Sequence, residues 1–207
     1  MKSKPTIKPS VGLAILAAGS SSRLGQPKQL VKFKGKALLQ HIIDELGVIE
    51  VAKRWVILGA NQEEIKAKIH FRSFELLMNE GWNEGIASSI RLAAEQAKNH
   101  NLDALLLVLS DQPYVNQELL NALLKLYRPA EEGIMASEYK DILGVPALFD
   151  RAYFQELMGL SGDSGARKLI SAFRARVASV KFERGVLDID TEADLKHLNA
   201  IENVHNG

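Results

Sequence analysis

A regular alternation of short apolar runs with longer stretches of helical spacing limits this chain to few architectures. Val11–Ala17 is continuously apolar, the mark of a short buried strand. Residues 37–46 place Leu38, Leu39, Ile42, Ile43 and Leu46 at the three-and-four spacing of an amphipathic helix. The pattern predicts strands at 54–59 and 74–78, and helices at 61–69 (with Asn61 as N-cap), 86–98 and 116–127. Ala104–Leu109 is apolar throughout, as expected of a strand buried on both faces at the centre of a parallel sheet. Short strands follow at 134–138 and 145–149, helices at about 151–158 and 164–173, and a strand at 178–182. Thr191 caps a last helix over about 192–201. Strand and helix in turn imply βαβ units. The expected fold class is therefore α/β, three layers in the order α/β/α, with a mixed, mostly parallel sheet. The strands between 133 and 149 lie too close for a helical crossover, so they are expected to pair antiparallel or to add an antiparallel edge.

Composition narrows the function. Of 207 residues, 46% are hydrophobic and 25% charged, which excludes disorder for the bulk of the chain. The absence of cysteine excludes disulfides, thiolate zinc sites, cysteine-ligated iron–sulfur clusters and a thiol nucleophile. A formal net charge of +1 argues against a general nucleic-acid binder but allows a local basic site for a polyphosphate. No apolar run approaches the roughly 20 residues that span a bilayer, so no membrane association is expected. Lys2, Lys4 and Lys8 ahead of the apolar run give the N-terminus a superficial likeness to a signal peptide. Gly12 interrupts that run, Pro9 precedes it, and cleavage would remove the strand beneath the next loop, so a cytoplasmic protein is expected. The length suits one domain over 11–202, with a flexible tail at 1–10 and a frayed end at 203–207.

After the first strand comes Gly19-Ser20-Ser21-Ser22-Arg23-Leu24-Gly25-Gln26-Pro27-Lys28. Glycines bring backbone N–H groups close to a ligand, serines add hydroxyls, and Arg23 and Lys28 add two cations. These are the requirements of a triphosphate cradle, although a mobile Gly/Ser surface turn has the same composition. Neither G-x-x-x-x-G-K-S/T nor G-x-G-x-x-G occurs here, which argues against a P-loop NTPase and a dinucleotide-dependent dehydrogenase.

Two acidic groups follow strands. Asp111, in Ser110-Asp111-Gln112-Pro113, ends the most apolar run, where α/β sheets place ligands. It reads either as a Mg²⁺ ligand or as a turn residue before proline. In Leu187-Asp188-Ile189-Asp190-Thr191-Glu192-Ala193-Asp194, Asp188 and Asp190 face the same way if the backbone is extended. Asp190 or Thr191 also suits a helix N-cap, and Asp194 a helix-start acid. The five histidines, at 41, 70, 100, 197 and 205, have no metal-ligand spacing and are expected at the surface or at helix ends.

The string Leu16-Ala-Ala-Gly-Ser-Ser-Ser-Arg-Leu-Gly-Gln-Pro-Lys28 resembles the signature L-A-A/G-G-x-S-x-R-[ML]-G-x-x-K of the MobA-like nucleotidyltransferases. Within that superfamily it looks most like the molybdenum cofactor cytidylyltransferases. The resemblance covers nearly the whole chain and implies a Rossmann-like fold of the nucleotide-diphospho-sugar transferase type. Asp-Gln-Pro at 111–113 resembles the second family motif, which makes Asp111 a metal ligand. The segment from Asp188 to Leu195 resembles the closing motif D-[IV]-D-T-P-E-D-L, with Glu192 in place of Pro and Ala193 in place of Glu. This makes Asp190 the second metal ligand and Asp188 a supporting candidate.

By the same resemblance Leu16, Ala17, Ala18, Gly19, Ser22, Arg23 and Lys28 contact the nucleotide, with Arg23, Lys28 and Asp111 catalytic. Residues 79–90 are similar to the family segment N-x-x-W-x-x-G-[MI]-x-x-S and add Asn79, Ser88 and Ser89 as nucleotide contacts. Trp82 fits a ligand-stacking or a packing role equally. Residues 144–149 and 161–167 resemble the acceptor-side motifs G-x-P-x-L-F and G-D-x-G-A-R. They make Gly144, Pro146, Gly162, Asp163, Gly165 and Arg167 acceptor-binding, although Asp163 or Ser164 would serve equally as a helix cap. Val145 departs from the polar residue frequent in relatives.

The activity implied is transfer of CMP from CTP to the phosphate of Mo-molybdopterin, with Mg²⁺ (or Mn²⁺) as cofactor and release of pyrophosphate. A molybdoenzyme or its maturation chaperone is the implied protein partner. Ala18 before Gly19 matches the L-A-A-G form of cytidylyltransferases rather than L-A-G-G of guanylyltransferases. The alternatives are GTP as donor, a sugar or alcohol phosphate as acceptor, and a non-catalytic molybdenum cofactor chaperone.

Overall fold

The computed structural model describes residues 8–21, 24–189, 191, 193 and 194. The strands are β1 (Val11–Ala17), β2 (Lys32–Phe33), β3 (Lys36–Ala37), β4 (Lys53–Leu58), β5 (Glu75–Met78), β6 (Ala104–Leu109), β7 (Ile134–Tyr139), β8 (Ile142–Asp150) and β9 (Val177–Lys181). The α-helices are α1 (Leu38–Leu46), α2 (Gln62–Lys68), α3 (Ile86–Asn99), α4 (Gln117–Leu126), α5 (Phe154–Met158) and α6 (Arg167–Ala172). A seven-stranded sheet runs in the order β5-β4-β1-β6-β8-β7-β9, while β2 and β3 form a separate small hairpin. β4 and β6 flank β1 in parallel, β5 is parallel to β4, and β9 is parallel to β7. β8 runs antiparallel to both β6 and β7. The sheet is thus mixed and mostly parallel, as expected, and its reversed strand lies inside the sheet.

The core has two layers because alternate strand residues point to opposite faces. On β1, Leu13, Ile15 and Ala17 join the layer of α1 and α4, and Ala14 and Leu16 join that of α3 and α5. Each buried Leu or Ile contributes about 1.5–3 kcal/mol relative to full exposure. Among the described residues no helix is long and apolar enough to cross a membrane.

Several elements differ from the sequence expectation in instructive ways. β8 begins at Ile142 rather than 145, because Lys140 and Asp141 both take left-handed conformations (φ 46° and 61°) and close a two-residue turn without glycine. The pairing of β7 with β8 then shifts register between Ala136 and Ser137, opposite Val145 and Pro146. Proline has no N–H for the ladder, so the irregularity falls where the ladder would be incomplete anyway. α6 starts at Arg167 rather than 164, and neither Asp163 nor Ser164 caps it. Asn61 stands at the N-cap of α2 but is left-handed (φ 55°) and its side chain makes no cap bond. His41 is half-buried rather than at the surface, edge-on to Phe33 at 4.8 Å between ring centroids. Burial pushes its imidazole below the ordinary value. Ser10, placed by sequence in the tail, is tied down: its N and Oγ reach Asp103 Oδ2 at 2.8 and 2.9 Å. The rest of both expected flexible ends, 1–7 and 203–207, lies outside the described residues.

β1 meets β4 on one side and β6 on the other, so the chain reverses its direction of sheet growth between β1 and β6. In open α/β sheets ligands bind at such a switch point, beyond the C-terminal ends of the strands. Gly19 leaves β1 and Asp111 leaves β6 at this point.

Candidate active site

A cleft of about 410 Å³ opens at the switch point. Leu16, Ala18, Gly19 and Ser20 from the end of β1, and Leu109, Ser110 and Asp111 from the end of β6, line its floor. Trp82 and Gly85 just before α3, Ile86 and Ser89 in it, and Asp163 form a wall, and Lys28 and Gln29 complete the lining.

The loop from Gly19 to Lys28 is folded back by local bonds. Ser21 is left-handed (φ 56°), and its Oγ accepts from Lys28 N at 3.0 Å. Gly25 is also left-handed (φ 70°), the conformation glycine adopts without strain. Lys28 Nζ then lies 2.7 Å from Asp111 Oδ2, with the two side chains only 15% and 17% exposed. The other carboxylate oxygen, Oδ1, is buried and has no hydrogen-bond partner among the described residues. A buried carboxylate oxygen left unsatisfied is costly, so this atom is suited to receive a cation or a donor.

The second acidic stretch is brought beside the first by the backbone, where Ile189 N donates to Asp111 O at 3.1 Å. Ile189 is buried, and Asp188 next to it is exposed. Asp194 Oδ2 accepts from Thr191 N at 2.7 Å and Thr191 Oγ1 accepts from Asp194 N at 3.2 Å, while the helix expected over 192–201 lies, apart from 193 and 194, outside the described residues. Ser22, Arg23 and Asp190 lie outside the described residues.

The structure sorts the remaining candidates. Leu16, Ala18, Gly19, Lys28 and Ser89 line the cleft with Asp111. Ala17 faces the opposite layer and offers only its carbonyl, to the Gln29 amide. Asn79 and Ser88 lie behind the wall. Asn79 Nδ2 donates to Ser88 Oγ and Ser89 Oγ at 2.8 and 2.9 Å, its Oδ1 accepts from Gly81 N, and Ser88 Oγ donates to Gly85 O. These bonds shape the turn into α3 and use up the polar atoms of Asn79. Trp82 serves both suggested roles, lining the cleft while packing so closely on Gly59 that a Cβ there would lie 2.5 Å from it.

Of the acceptor-side candidates, Asp163 faces the same cleft as the nucleotide candidates. It arrives there because its loop docks on the start of α3. Ala87 N donates to Gly162 O at 3.1 Å, Gly162 N donates to Glu84 Oε1 at 3.2 Å, and Arg91 bonds both Glu84 and Leu160 O. Gly85 (φ 121°) allows this contact, since a Cβ there would be 2.5 Å from Gly162 O and Asp163 Oδ1. The Gly162 amide is thus bonded to Glu84, and Gly165 lies against Ile86. Arg91 and then Gly162 hold the Glu84 carboxyl down to about 2.

Gly144 and Pro146 lie within β8 and line none of this cleft. Gly144 leaves room for the Tyr139 phenol, whose oxygen would be 2.1 Å from a Cβ there, and Pro146 O accepts from Ser137 Oγ. Arg167 is exposed, and its charge acts on Tyr139. Burial, then Asp188 and Asp111, push that phenol up against the pull of Arg167. Tyr139 thus stands near both acidic motifs, and sequence reasoning missed it because its position depends on the hairpin turn. It also missed Gln29, whose signal was a polar residue just ahead of the apolar Leu30-Val31.

Comparison with known proteins identifies the family. Residues 13–178 match the MobA-like NTP transferase domain. The chain is 30% identical over 170 residues to the nicotine blue oxidoreductase of Paenarthrobacter nicotinovorans, covering 77% of this chain and 80% of that protein. It is 29% identical over 191 residues to the purine catabolism protein PucB of Bacillus subtilis (85% and 89%). A probable molybdenum cofactor guanylyltransferase of Pyrococcus horikoshii is 26% identical over 199 residues (93% and 96%). Rv0371c of Mycobacterium tuberculosis superimposes with a TM-score of 0.79 at 30% identity, over 93% of this chain and 98% of that one. Its complex with manganese gives 0.76 at 27% identity (91% and 97%). The match across the sheet, its switch point and the glycine loop is extensive enough to conclude that the chain belongs to the MobA-like NTP transferase family and is a nucleotidyltransferase.

Proposed function

We propose that the protein transfers CMP from CTP to the phosphate of Mo-molybdopterin and releases pyrophosphate. The observation that carries this reading is the Lys28–Asp111 pair in the switch-point cleft, with Asp111 Oδ1 left for a ligand. An oxygen of the acceptor phosphate attacks the α-phosphorus, the bond to the β-phosphate bridging oxygen breaks, and its electron pair leaves with pyrophosphate. The acceptor is already ionised, so no protein nucleophile is needed. Lys28, with Arg23 by family resemblance, offsets the charge that builds on the phosphates.

Mg²⁺, or Mn²⁺, fits Asp111, because the buried Oδ1 lacks a partner and hard cations prefer carboxylate and phosphate oxygens. Asp190 is the second ligand by resemblance, and the manganese complex of Rv0371c supports a divalent ion. When bound, the cation neutralises charge on the phosphate oxygens. On the acceptor side, the exposed Arg167 would offer a cation to an anionic group of the acceptor. The name of the Pyrococcus horikoshii relative supports a molybdenum cofactor acceptor, and the product would pass to a molybdoenzyme or its maturation chaperone.

Ala18 supports CTP as donor. It lines the cleft, and a methyl at this position would leave less room for a purine than glycine would. The test is incubation with Mg²⁺, each nucleoside triphosphate in turn and a panel of phosphorylated acceptors, reading pyrophosphate. Release that requires both CTP and Mo-molybdopterin is expected. Release with a sugar or alcohol phosphate instead would reassign the acceptor, and binding without release would favour a carrier.

A further inference from the structure

Gln29 lies in the single 3₁₀ turn Lys28–Leu30 and is 1% exposed. Glutamine is seldom buried, because its amide carries two donors and an acceptor oxygen that all need partners. Its Nε2 donates to Ala17 O at 2.7 Å and to Gly19 O at 3.2 Å. Between them, Ala18 O accepts from Ala60 N. One side chain thus holds two of the three carbonyls that lead out of β1. In a planar trans peptide the N–H points opposite to the C=O, so fixing these two carbonyls also fixes the aim of the Ala18 and Ser20 N–H groups. Gln29 itself lines the cleft, and its Oε1 is buried with no hydrogen-bond partner among the described residues. An orphaned amide oxygen of this kind is disfavoured until a donor reaches it.

We propose that Gln29 is a positioning residue for the triphosphate: it sets the loop amides that face the phosphates. This rests on the nucleotide-binding reading given above. Lys28 supplies charge at the phosphates, whereas Gln29 supplies the loop geometry that the charge acts across.

Two variants of the full chain test it. Gln29→Met keeps the length and removes both bonds, and Gln29→Glu keeps the shape but puts an acceptor against two carbonyls. Calorimetric titration with CTP and CMP in Mg²⁺, and with GTP and GMP in parallel, is read beside thermal melting. For the triphosphate that the parent binds, both variants are expected to weaken affinity at least about tenfold. Affinity for the matching monophosphate should change by less than about threefold, and both variants should still melt cooperatively. Unchanged triphosphate affinity, equal loss for both ligands, or loss of cooperative melting in both variants would overturn the proposal. If the parent binds neither triphosphate, the nucleotide reading fails and this inference falls with it. If the parent binds and the variants match it, that reading stands and Gln29 alone is removed.

Discussion

Lys28 Nζ lies 2.7 Å from Asp111 Oδ2, although the residues come from loops 83 positions apart. The contact joins the end of the glycine loop to the end of the central strand β6. Removing one member of such a largely buried pair leaves the other charge uncompensated, at a cost of about 3–5 kcal/mol when burial is complete. The pair therefore links loop order to the state of the site, and its two members separate in mutagenesis.

Asp111→Asn keeps the side-chain shape but removes the charge for Lys28 and for the cation. Turnover should fall at least about a hundredfold, or about 2.7 kcal/mol of transition-state stabilisation. Cooperative melting should persist. Near-normal turnover at saturating Mg²⁺ would make Asp111 a structural turn residue.

Lys28→Ala should lower turnover by at least about tenfold, the loss of about 1.4 kcal/mol. It also leaves the Asp111 carboxylate without its Lys28 partner, so added Mg²⁺ should raise the melting temperature more in the variant than in the parent. A change in melting alone, with turnover intact, would contradict the placement of Lys28 at the phosphates.

Ala18→Gly tests base selection. The parent should favour CTP over GTP in kcat/KM by on the order of a hundredfold, within reach of steric fit plus a few hydrogen bonds. The variant should narrow that ratio. Equal use of both by the parent would leave the nucleotidyltransferase assignment intact and remove its cytidylyl form.

The Glu84 latch on the Gly162 loop makes a pH prediction. The carboxyl is held down to about 2 against an ordinary 4.5, so its contribution is complete above 4.5 and is lost as the pH falls toward 2. Glu84→Gln should melt slightly below the parent at neutral pH, and the gap should close across that acid window. The pair is solvent-exposed, so the gap is small. A gap that widens on acidification would contradict the assigned sign.

Strands β1 and β6 and helices α1, α3 and α4 were legible because apolar periodicity is local and strong there. Asp111 was legible because a single polar residue ends the most apolar run. The bond from Ile189 N to Asp111 O was not, since it joins positions far apart in sequence. The bonds between Asn79 and Ser88 were not legible, because a polar turn into a helix has the same composition whether its side chains bind a ligand or one another. The contact of Gly144 with Tyr139 was not legible, because a missing side chain serves a neighbouring ring as well as a substrate. That Asp163 lines the same cleft as Lys28 and Asp111 was not legible, because the docking of its loop on Gly85 depends on contacts that spacing does not encode.

The most direct test is pyrophosphate release from CTP in the presence of Mo-molybdopterin, measured with Mg²⁺ and again with EDTA, with the nucleotide-bearing pterin identified by mass spectrometry. The account predicts equal amounts of pyrophosphate and CMP-linked product with Mg²⁺, and neither with EDTA. Pyrophosphate release that continues unchanged in EDTA, or that occurs without any nucleotide joined to an acceptor, would contradict it.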